Sequence, residues 1–434
     1  MPHPRPSLLR LFIAVYLGTR WLRRRFTPAG LLVIALCAFA AAFGLDTESN
    51  AAHQVFTIAA ALLLVDAAAL GLRPARSLPR LSARRHLPRV ISADSSTGYR
   101  LDVSNAGSSP LPALTLVEEL RQAWPAATDL AGRGYPFFLQ SLRRLRAVDV
   151  STIDLPPLLP GQSAHCEAAL LAAARGVAGF ERIEAILTGP LGLLARRVAV
   201  ASAAASLPVL PQRLAVAVPP ASSRRQLQPG GIALAQHVGD SEEFRALRDY
   251  RPGDPLRTIH WRSFARTGKP MVREMQEEFF SRHALVLDTA LTDGDTARFE
   301  TAVAVAAGLV ASPRDADTLL DLLFVGEKVH RLTAGRGLGS ADALLRVLAS
   351  VRPTAPESLA ALFSSVMHHA AQASSVIVVL LCWDAARRQA INNLRATGAQ
   401  LTVLLIGEDA GDDDGAALPA SVRRIPVEAS LIAA

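Results

Sequence analysis

The hydrophobic pattern of the chain begins with two long apolar runs near the N-terminus. Phe26–Leu45 has no charged residue over twenty positions, enough for a helix to cross about 30 Å of hydrocarbon. Val55–Leu72 is apolar over eighteen positions and is interrupted by Asp66. A carboxylate near the centre of a span costs about 2.5–3.5 kcal/mol to insert, so we expect this run to insert as a hairpin with the first. The pattern predicts a membrane anchor of two transmembrane helices over residues 1–85.

Two smaller features accompany this anchor. Asp66 is expected to face the first helix or a partner, with a proton relay as the alternative. Leu8–Leu17 is too short to cross a bilayer and is expected to lie in the membrane interface as an amphipathic helix.

Residues 86–212 change to short stretches of alternating apolar and polar positions, separated by prolines and turn signals. Such alternation is typical of strands with one buried face. The predicted strands are Tyr99–Ser104, Leu114–Leu120, His165–Leu171, Phe180–Leu187 and Leu193–Val200. Their spacing predicts a small β-sandwich. Arg121–Val150 does not fit and is expected to be an inserted loop or helix. We find no catalytic combination of residues here, so a spacer or docking surface is expected.

Residues 284–434 alternate between continuous apolar runs and helical periodicity. The predicted strands are Ala284–Leu287, Thr318–Phe324, Lys328–Leu332, Val376–Leu381, Leu401–Ile406 and Val422–Val427. The predicted helices are Thr296–Ala311, Ala341–Val351, Ser358–Ala373 and Ala385–Thr397. Apolar strands between helices indicate an α/β domain whose parallel sheet is covered on both faces.

Residues 213–283 connect these domains and contain a segment of dense charge, Phe244–Glu278, which we call the charged block. Pro252-Gly253 suits the centre of a type II turn, whose second residue needs a positive φ. The following Asp-Pro pair suits a helix start, which predicts a helix over Pro255–Thr267. Gly268 would end that helix, and Met271–Phe279 is expected to be extended.

The charged block contains seven arginines and one lysine beside a similar number of carboxylates, with aromatic residues between them. This balance favours a network of ion pairs over a polyanion-binding surface; a solvated, salt-bridged helix is the alternative. The candidate interaction residues are Arg248, Asp249, Tyr250, Gly253, Asp254, Arg257, Trp261, Arg262 and Arg266. We expect them to fix the junction between the sandwich and the α/β domain.

The distribution of charge refines the picture. The net charge is +8, but residues 1–90 carry twelve arginines against three acids, so the remainder is close to neutral. Nucleic-acid binding is therefore disfavoured. Arginines flank both apolar runs, whereas the loop between them has none, which predicts that both ends and the large domains are cytoplasmic. The three cysteines fit reduced, buried side chains.

Candidate chemistry lies at the strand ends of the C-terminal domain. Asp288 and Asp384 each follow a predicted strand, and ligands of parallel sheets collect at such ends. With Thr292 and Thr333 they would offer oxygen ligands suited to Mg²⁺. The alternative is that these aspartates cap the following helices. The sequence contains no phosphate-binding loop and no nucleophile elbow.

The chain resembles the bacterial membrane-associated proteins that carry "domain of unknown function fifty-eight". The resemblance rests on FRALRDYRPGDPLRTIHWRSFARTGKPMVREM, on the strand ending at Asp288, and on the paired apolar runs. Thr188–Leu194 (TGPLGLL) is similar to the family's Asp-Pro-Phe-Gly-Leu element. The resemblance implies a von Willebrand factor A-like fold for roughly residues 284–430. In that fold a metal site uses Asp-x-Ser-x-Ser, and Ala290 stands where the first serine is expected, so one ligand oxygen is missing.

The resemblance also implies partners, namely MoxR-type AAA+ ATPases and transglutaminase-like membrane proteins. The leading hypothesis is a non-catalytic, membrane-anchored interaction or scaffold module that serves such an ATPase in assembling or activating a protein complex. The alternative is a metal-dependent hydrolase that uses Asp288 and Asp384.

Overall fold

A computed structural model of the chain defines its architecture. The residues described are 6–43, 50–72, 80–125, 130, 133–216, 243–254, 256–276, 281–291, 295–312, 318–326, 328–335, 339–370, 373–407, 419 and 421–427. The chain divides into two compact units, and each is described by itself. The first consists of Met1–Arg213, Leu345–Val351 and Ala429–Ala434, and the second of Leu214–Leu344 and Arg352–Glu428.

The first unit starts with helices α1 (Pro6–Arg25), α2 (Pro28–Phe43) and α3 (Asn50–Gly71). α2 packs against α3, and small residues such as Ala40 and Ala59 are buried. Ala52–Gly71 in α3 is long and apolar enough to cross a membrane, while the apolar part of α2, Pro28–Ala42, is shorter. One helix of the described chain therefore meets the length and composition of a span.

In the described residues of the first unit up to Arg213, strands and an α-helix follow. The strands are β1 (Leu81–His86), β2 (Ile91–Ser92), β3 (Ser96–Asn105), β4 (Leu114–Leu120), β5 (Val148–Val150), β6 (Ile153–Leu155), β7 (Ser163–Ala172), β8 (Gly176–Thr188), β9 (Ala195–Val200) and β10 (Ala205–Leu210). One sheet has the order β1-β3-β7-β5, and the other β2-β10-β8-β4-β6 with β9 beside β8. The pairing is antiparallel except between β2 and β10.

The two sheets of the first unit share one hydrophobic core. Alternate residues of β3 and β7 are buried, as the polar–apolar alternation predicts. Leu101, Leu170 and Phe180 are among the buried side chains that meet between the sheets. Two sheets around one core form the layered arrangement of a β-sandwich. Within the segment that did not fit the alternation, the structure has helix α4 (Tyr135–Arg146) and β5.

The second unit contains the charged block and a larger sheet. Its strands are β11 (Glu243–Asp249), β12 (Met271–Gln276), β13 (Ser281–Leu287), β14 (Thr318–Val325), β15 (Val329–Ala334), β16 (Ser375–Leu380), β17 (Gln400–Ile406) and β18 (Val422–Ile425). Its helices are α5 (Trp261–Thr267), α6 (Thr296–Ala311), α8 (Ser358–Ala370) and α9 (Ala385–Ala396). Helix α7 (Ala341–Ser350) begins in this unit, and its residues from Leu345 onward belong to the first.

The large sheet has the order β15-β14-β13-β16-β17-β18, with β15 antiparallel and the other strands parallel. β14 and β16 are buried along almost their whole length, because helices cover a parallel sheet on both faces. The chain leaves β13 toward β14 and later returns on the other side to β16. The order of strands therefore reverses between β13 and β16, where sheets of this kind hold their ligands.

Candidate functional site

The charged block folds as an antiparallel hairpin of β11 and β12, with a turn and α5 between them. The backbone N–H of Tyr250 donates to the carbonyl of Pro270 at 3.0 Å and closes the hairpin. Gly253 has φ of +109°, a conformation that favours glycine, which agrees with the predicted turn. Gly268 ends α5 at φ +69°, and its N–H donates to the carbonyl of Phe264 at 2.9 Å.

The predicted continuous helix between the turn and Gly268 is wrong. Leu256–Thr258 forms a single 3-10 turn, and α5 begins at Trp261; Pro255, its predicted first residue, lies outside the described residues. Ile259 is buried and forms a bridge to β12, and the N–H of His260 donates to a β12 carbonyl at 2.8 Å. Because these backbone groups bond to a strand, they cannot continue the helix.

A bidentate ion pair holds the turn of the charged block. Arg248 donates from Nη1 to Asp254 Oδ2 at 2.6 Å and from Nη2 to Oδ1 at 2.7 Å. The backbone N–H of Arg251 also donates to Asp254 at 2.9 Å. The hydrogen bonds from Arg248, and after them the one from Arg251, lower the pKa of Asp254 from 3.8 to about 2. The pair fixes the turn that leads from β11 towards α5.

The outer face of the charged block is aromatic and basic. α5 has no buried residue, and Trp261 is 59% and Leu256 66% exposed. The rings of Trp261 and Phe264 meet edge to face with centroids 6.1 Å apart. Arg262 and Arg266 are exposed on the same short helix. Arginine and tryptophan are the residue types that dominate binding hot spots, so this face has the composition of a protein-binding surface.

The predicted network of ion pairs is visible in part. Among the side chains that the structure describes, Arg248–Asp254 is the ion pair of the charged block, and Asp249 is exposed. The side chains of Arg257 and Glu274 lie outside the described residues. The expected role of the block at a junction between domains stays a prediction.

At the strand ends of the large sheet, the structure brings Asp288 together with a residue that the sequence analysis missed, Arg387 of α9. Asp288 Oδ2 accepts from Arg387 Nε at 2.7 Å and from the N–H of Leu381 at 3.2 Å. Its Oδ1 accepts from the N–H of Ala290 at 2.9 Å. Arg387 is 1% exposed and Asp288 is fully buried, so the pair is shielded from water.

Asp384 also pairs with the guanidinium of Arg387. Its Oδ2 accepts from Arg387 Nη1 at 2.5 Å, and its Oδ1 caps α9 by accepting the N–H of Arg387 at 2.8 Å. Arg387 Nη2 donates to the carbonyl of Ala290 at 2.7 Å. Burial alone lowers the pKa of Arg387, but the charge of Asp288 and its hydrogen bond outweigh burial and raise it. Burial raises the pKa of the neighbouring Cys382 thiol to about 11, so it is protonated at neutral pH.

The residues at these strand ends do not fit a magnesium site. The guanidinium of Arg387 lies between Asp288 and Asp384 and pairs its single positive charge with both carboxylates. Mg²⁺ needs near-octahedral oxygen ligands, and both oxygens of the buried Asp288 are already hydrogen-bonded to the backbone or to Arg387. No group of three or more histidines, cysteines or acids that could hold a metal occurs among the described residues.

The two predicted threonine ligands lie apart from this arrangement. Thr292 lies outside the described residues. Thr333 lies on β15, where its hydroxyl donates to Asp321 Oδ1 at 2.5 Å, and Asp321 pairs with Arg282 at 2.6 Å. The structure instead places another hydroxyl-bearing residue, Thr354, beside Ala290.

Thr354 belongs to a small group of hydroxyls next to the guanidinium site. It forms a backbone bridge with Ala290, and its Oγ1 lies 3.0 Å from Thr289 Oγ1 and 2.9 Å from Ser358 Oγ. Thr289 Oγ1 also donates to the carbonyl of Val325 at 3.0 Å. These hydroxyls hydrogen-bond to one another and to the backbone, so they stabilise the segment that follows β13.

Another buried carboxylate, Asp66 of α3, is bound by backbone N–H groups rather than by an arginine. It accepts N–H groups of Leu191, Leu193 and Leu194 at 2.8, 3.0 and 2.7 Å. All three belong to the TGPLGLL segment of the sequence analysis. A β-carbon at Gly189 would overlap the Asp66 carboxylate, so the segment needs glycine there. Asp66 therefore fastens α3 to the β-rich part of its own unit.

The model for "Protein of unknown function DUF58" matches residues 246–421. This range includes the charged block from Ala246 onward and the site of Asp288, Asp384 and Arg387, which we call the carboxylate–arginine site. The match supports the DUF58 family for this part of the chain. No curated protein matches the chain.

Solved structures offer only remote likenesses. The ASH/PapD-like domain of human CEP192 is 13% identical, covers 30% of this chain and 86% of that domain, and has a TM-score of 0.19. The CARDB domain of a Pyrococcus furiosus protein in complex with di-metal ions is 12% identical, with coverage of 29% and 90% and a TM-score of 0.15. At such TM-scores neither likeness supports a conclusion about fold or function.

Proposed function

We propose that this protein is a non-catalytic, membrane-anchored interaction module whose charged block binds a partner protein. The observation that carries the proposal is the exposed face of α5, where Trp261 and Phe264 stand outside any core, together with the exposed Leu256 of the preceding 3-10 turn. Large apolar side chains clustered on a surface indicate a binding site. The Arg248–Asp254 pair orders the turn before α5, so less conformational entropy is lost when a partner binds.

The non-catalytic part of the proposal follows from the carboxylate–arginine site. Asp288 uses both of its oxygens in hydrogen bonds with the backbone and with Arg387. A general base or a metal ligand needs a free lone pair directed at a substrate or an ion. The neighbouring thiol of Cys382 is protonated and is therefore a poor nucleophile. The hydrolase alternative gains no support from this geometry.

The membrane part of the proposal rests on the N-terminal helices. Ala52–Gly71 satisfies the length and hydropathy of a span, and α2 packs beside α3. α2 has sixteen residues, about 24 Å at 1.5 Å per residue, so as the second span of a hairpin it would cross a thin part of the bilayer. Flanking arginines favour a cytoplasmic position for the large domains of a bacterial inner-membrane protein.

The partner is proposed from the family resemblance. A MoxR-type AAA+ ATPase is the proposed ligand of the charged block, and a transglutaminase-like membrane protein is a further proposed component of the complex. We also propose that the large sheet is von Willebrand factor A-like. Its strand order, which reverses between β13 and β16, and its antiparallel edge strand β15 support that assignment.

Affinity purification tests the proposed partnership. The tagged protein is purified from its native membranes in mild detergent with a non-hydrolysable ATP analogue, and an AAA+ ATPase is expected to co-purify. Trp261→Ala is expected to weaken binding by about 2 kcal/mol or more, roughly 30-fold, because truncating a central tryptophan removes a binding hot spot.

Leu159→Ala is the matched control, since Leu159 is a similarly exposed apolar residue (64%) of the first unit. It should leave co-purification unchanged. Recovery of no AAA+ ATPase would overturn the proposed partner, and equal recovery by the Trp261→Ala protein would overturn the proposed surface.

A further inference from the structure

The helix that precedes the apolar pair, α1, has two different long faces. One face packs on α4: Leu9, Phe12, Ile13 and Tyr16 lie against the cluster around Phe138. The rings of Phe12 and Phe138 have centroids 5.7 Å apart. This face is the internal side of an amphipathic helix.

Ion pairs hold the second half of α1 in the same orientation. Arg24 pairs with Glu184 at 2.6 Å, and Arg20 pairs with Glu119. Both carboxylates belong to central strands of the β-rich part, Glu119 on β4 and Glu184 on β8. α1 is therefore fixed along its length, and its outward face has a defined direction.

The opposite face of α1 is apolar and exposed. It carries Leu8, Leu11, Val15 and Leu22, with exposures of 51%, 55%, 43% and 36%. Their spacing of three, four and seven residues places them on one stripe of the helix. Trp21 borders the stripe at 56% exposure. A soluble surface rarely exposes such a continuous apolar stripe, so it needs an occupant.

Basic residues accompany this stripe, and α1 contains no acidic residue. Arg10, Arg23 and Arg25 are exposed, and the Arg25 guanidinium lies 5.8 Å from the centre of the Trp21 ring. Leucine on one side of a helix with tryptophan and arginine at its border is the composition of helices that lie in a membrane interface.

The stripe is continuous with the proposed membrane anchor. α1 ends at Arg25 and α2 begins at Pro28, and the N–H of Thr27 between them donates to the carbonyl of Leu193 at 3.0 Å. The same segment, Thr188–Leu194, donates its N–H groups to Asp66 of α3. The start of α2 and the Asp66 turn of α3 therefore meet one loop beside the C-terminal end of α1. That loop marks the level at which the apolar helices leave the β-rich part.

We propose that α1 lies in the plane of the bilayer interface, with Leu8, Leu11, Val15, Trp21 and Leu22 inserted at the boundary between head groups and acyl chains. Arg10, Arg23 and Arg25 contact the phosphates of anionic lipids. The occupant of the stripe is thus a lipid surface. This inference rests on the proposed membrane anchor, and it adds a second, lateral contact that fixes the orientation of the first unit on the membrane.

Depth-dependent quenching of Trp21 tests the inference. The full-length protein is reconstituted in vesicles whose phospholipids carry bromine either near the glycerol end or near the tip of the acyl chains. The contribution of Trp21 is the difference between the wild type and a Trp21→Phe protein. The fluorescence of Trp21 should be quenched by the shallow bromines and not by the deep ones. Quenching by the shallow bromines should be stronger in anionic vesicles than in neutral ones, and added salt should reduce this difference.

Two tryptophan variants make the result specific. Tyr16→Trp in the Trp21→Phe background places the probe on the face that packs on α4, where neither bromine should quench it. Ile58→Trp in the same background reports on the middle of α3, where deep bromines should quench most. Quenching of the α3 probe without quenching of Trp21 overturns the inference and leaves the anchor intact. Absence of quenching at both positions overturns the inference together with the anchor, and no ATPase is present to confuse either outcome.

Discussion

Two arginine–aspartate ion pairs of the second unit differ in their exposure to water. At the strand ends, Arg387 and Asp288 are 1% and 0% exposed, whereas in the charged block Arg248 and Asp254 are 37% and 17% exposed. The buried pair has lost its water and must satisfy every polar atom within the protein. The exposed pair keeps its water and adds little stability. The first pair therefore holds a core, and the second orders a surface.

The comparison explains why one predicted site is structural and the other is a candidate for binding. Both regions attract attention in the sequence through charged residues at turns and strand ends. In the sheet Arg387 pairs with both carboxylates, and Asp288 is fully buried, so its carboxylate is not accessible to a ligand. In the charged block the pairing leaves Trp261 and its neighbours at the surface.

Arg387→Met tests the structural role of the buried pair and should have the largest effect. The substitution leaves Asp288 buried without a cationic partner, so the free energy of unfolding should fall by about 3–5 kcal/mol. Chemical denaturation followed by circular dichroism measures the change. Arg395→Met on the same helix is the control: Arg395 is exposed, and its replacement should cost within about 0.5 kcal/mol.

A smaller loss than that of the control would contradict a structural role for the buried pair. Combining Arg387→Met with Asp288→Asn should cost less than the two single changes together, since the second change removes the orphaned charge.

The exposed Arg248–Asp254 pair is expected to change the pKa of Asp254 measurably, although it adds little to the free energy of unfolding. The pKa of Asp254 is lowered to about 2, so the carboxylate form favours the folded turn at any pH above its ordinary value of 3.8. This contribution is lost as the pH falls from about 3.8 to about 2. Carbon-detected NMR of the Asp254 carboxyl group should place its midpoint near the lower value.

In an Arg248→Met protein, that midpoint should move back toward 3.8, because the hydrogen bond from Arg248 is the main cause of the low pKa of Asp254. An unchanged midpoint in this variant would show that the pair does not order the turn.

Much of the fold is readable from the sequence because it depends on local pattern. The apolar run at Val376–Leu381 predicts the central strand β16 to within one residue at each end. Alternation likewise predicts β4 over Leu114–Leu120. β1 and β2 escaped prediction because they are short and carry polar residues, and their pairing with distant strands decides their conformation. The helix break at Ile259 has the same origin, since β12 is twelve residues further along.

The candidate site is less readable, because its chemistry depends on contacts between distant residues. Asp288 and Asp384 were correctly placed after strands, but Arg387 looked like one more arginine of a chain that is rich in them. A signal was present: Arg387 stands three residues after the helix-capping Asp384, so its side chain can return to the strand end. Asp66 was expected to face the first helix or a partner, and its contacts with the Thr188–Leu194 segment were missed because that segment lies more than a hundred residues away.

The central claim is that Arg387, rather than a metal ion, is the cationic partner of the two strand-end carboxylates. Calorimetric titration of the purified wild-type protein with Mg²⁺ and Mn²⁺ tests this claim most directly. The account predicts no saturable heat with either ion, and the same result for an Asp288→Asn protein. A saturable heat in the wild type that disappears in the Asp288→Asn protein would contradict it.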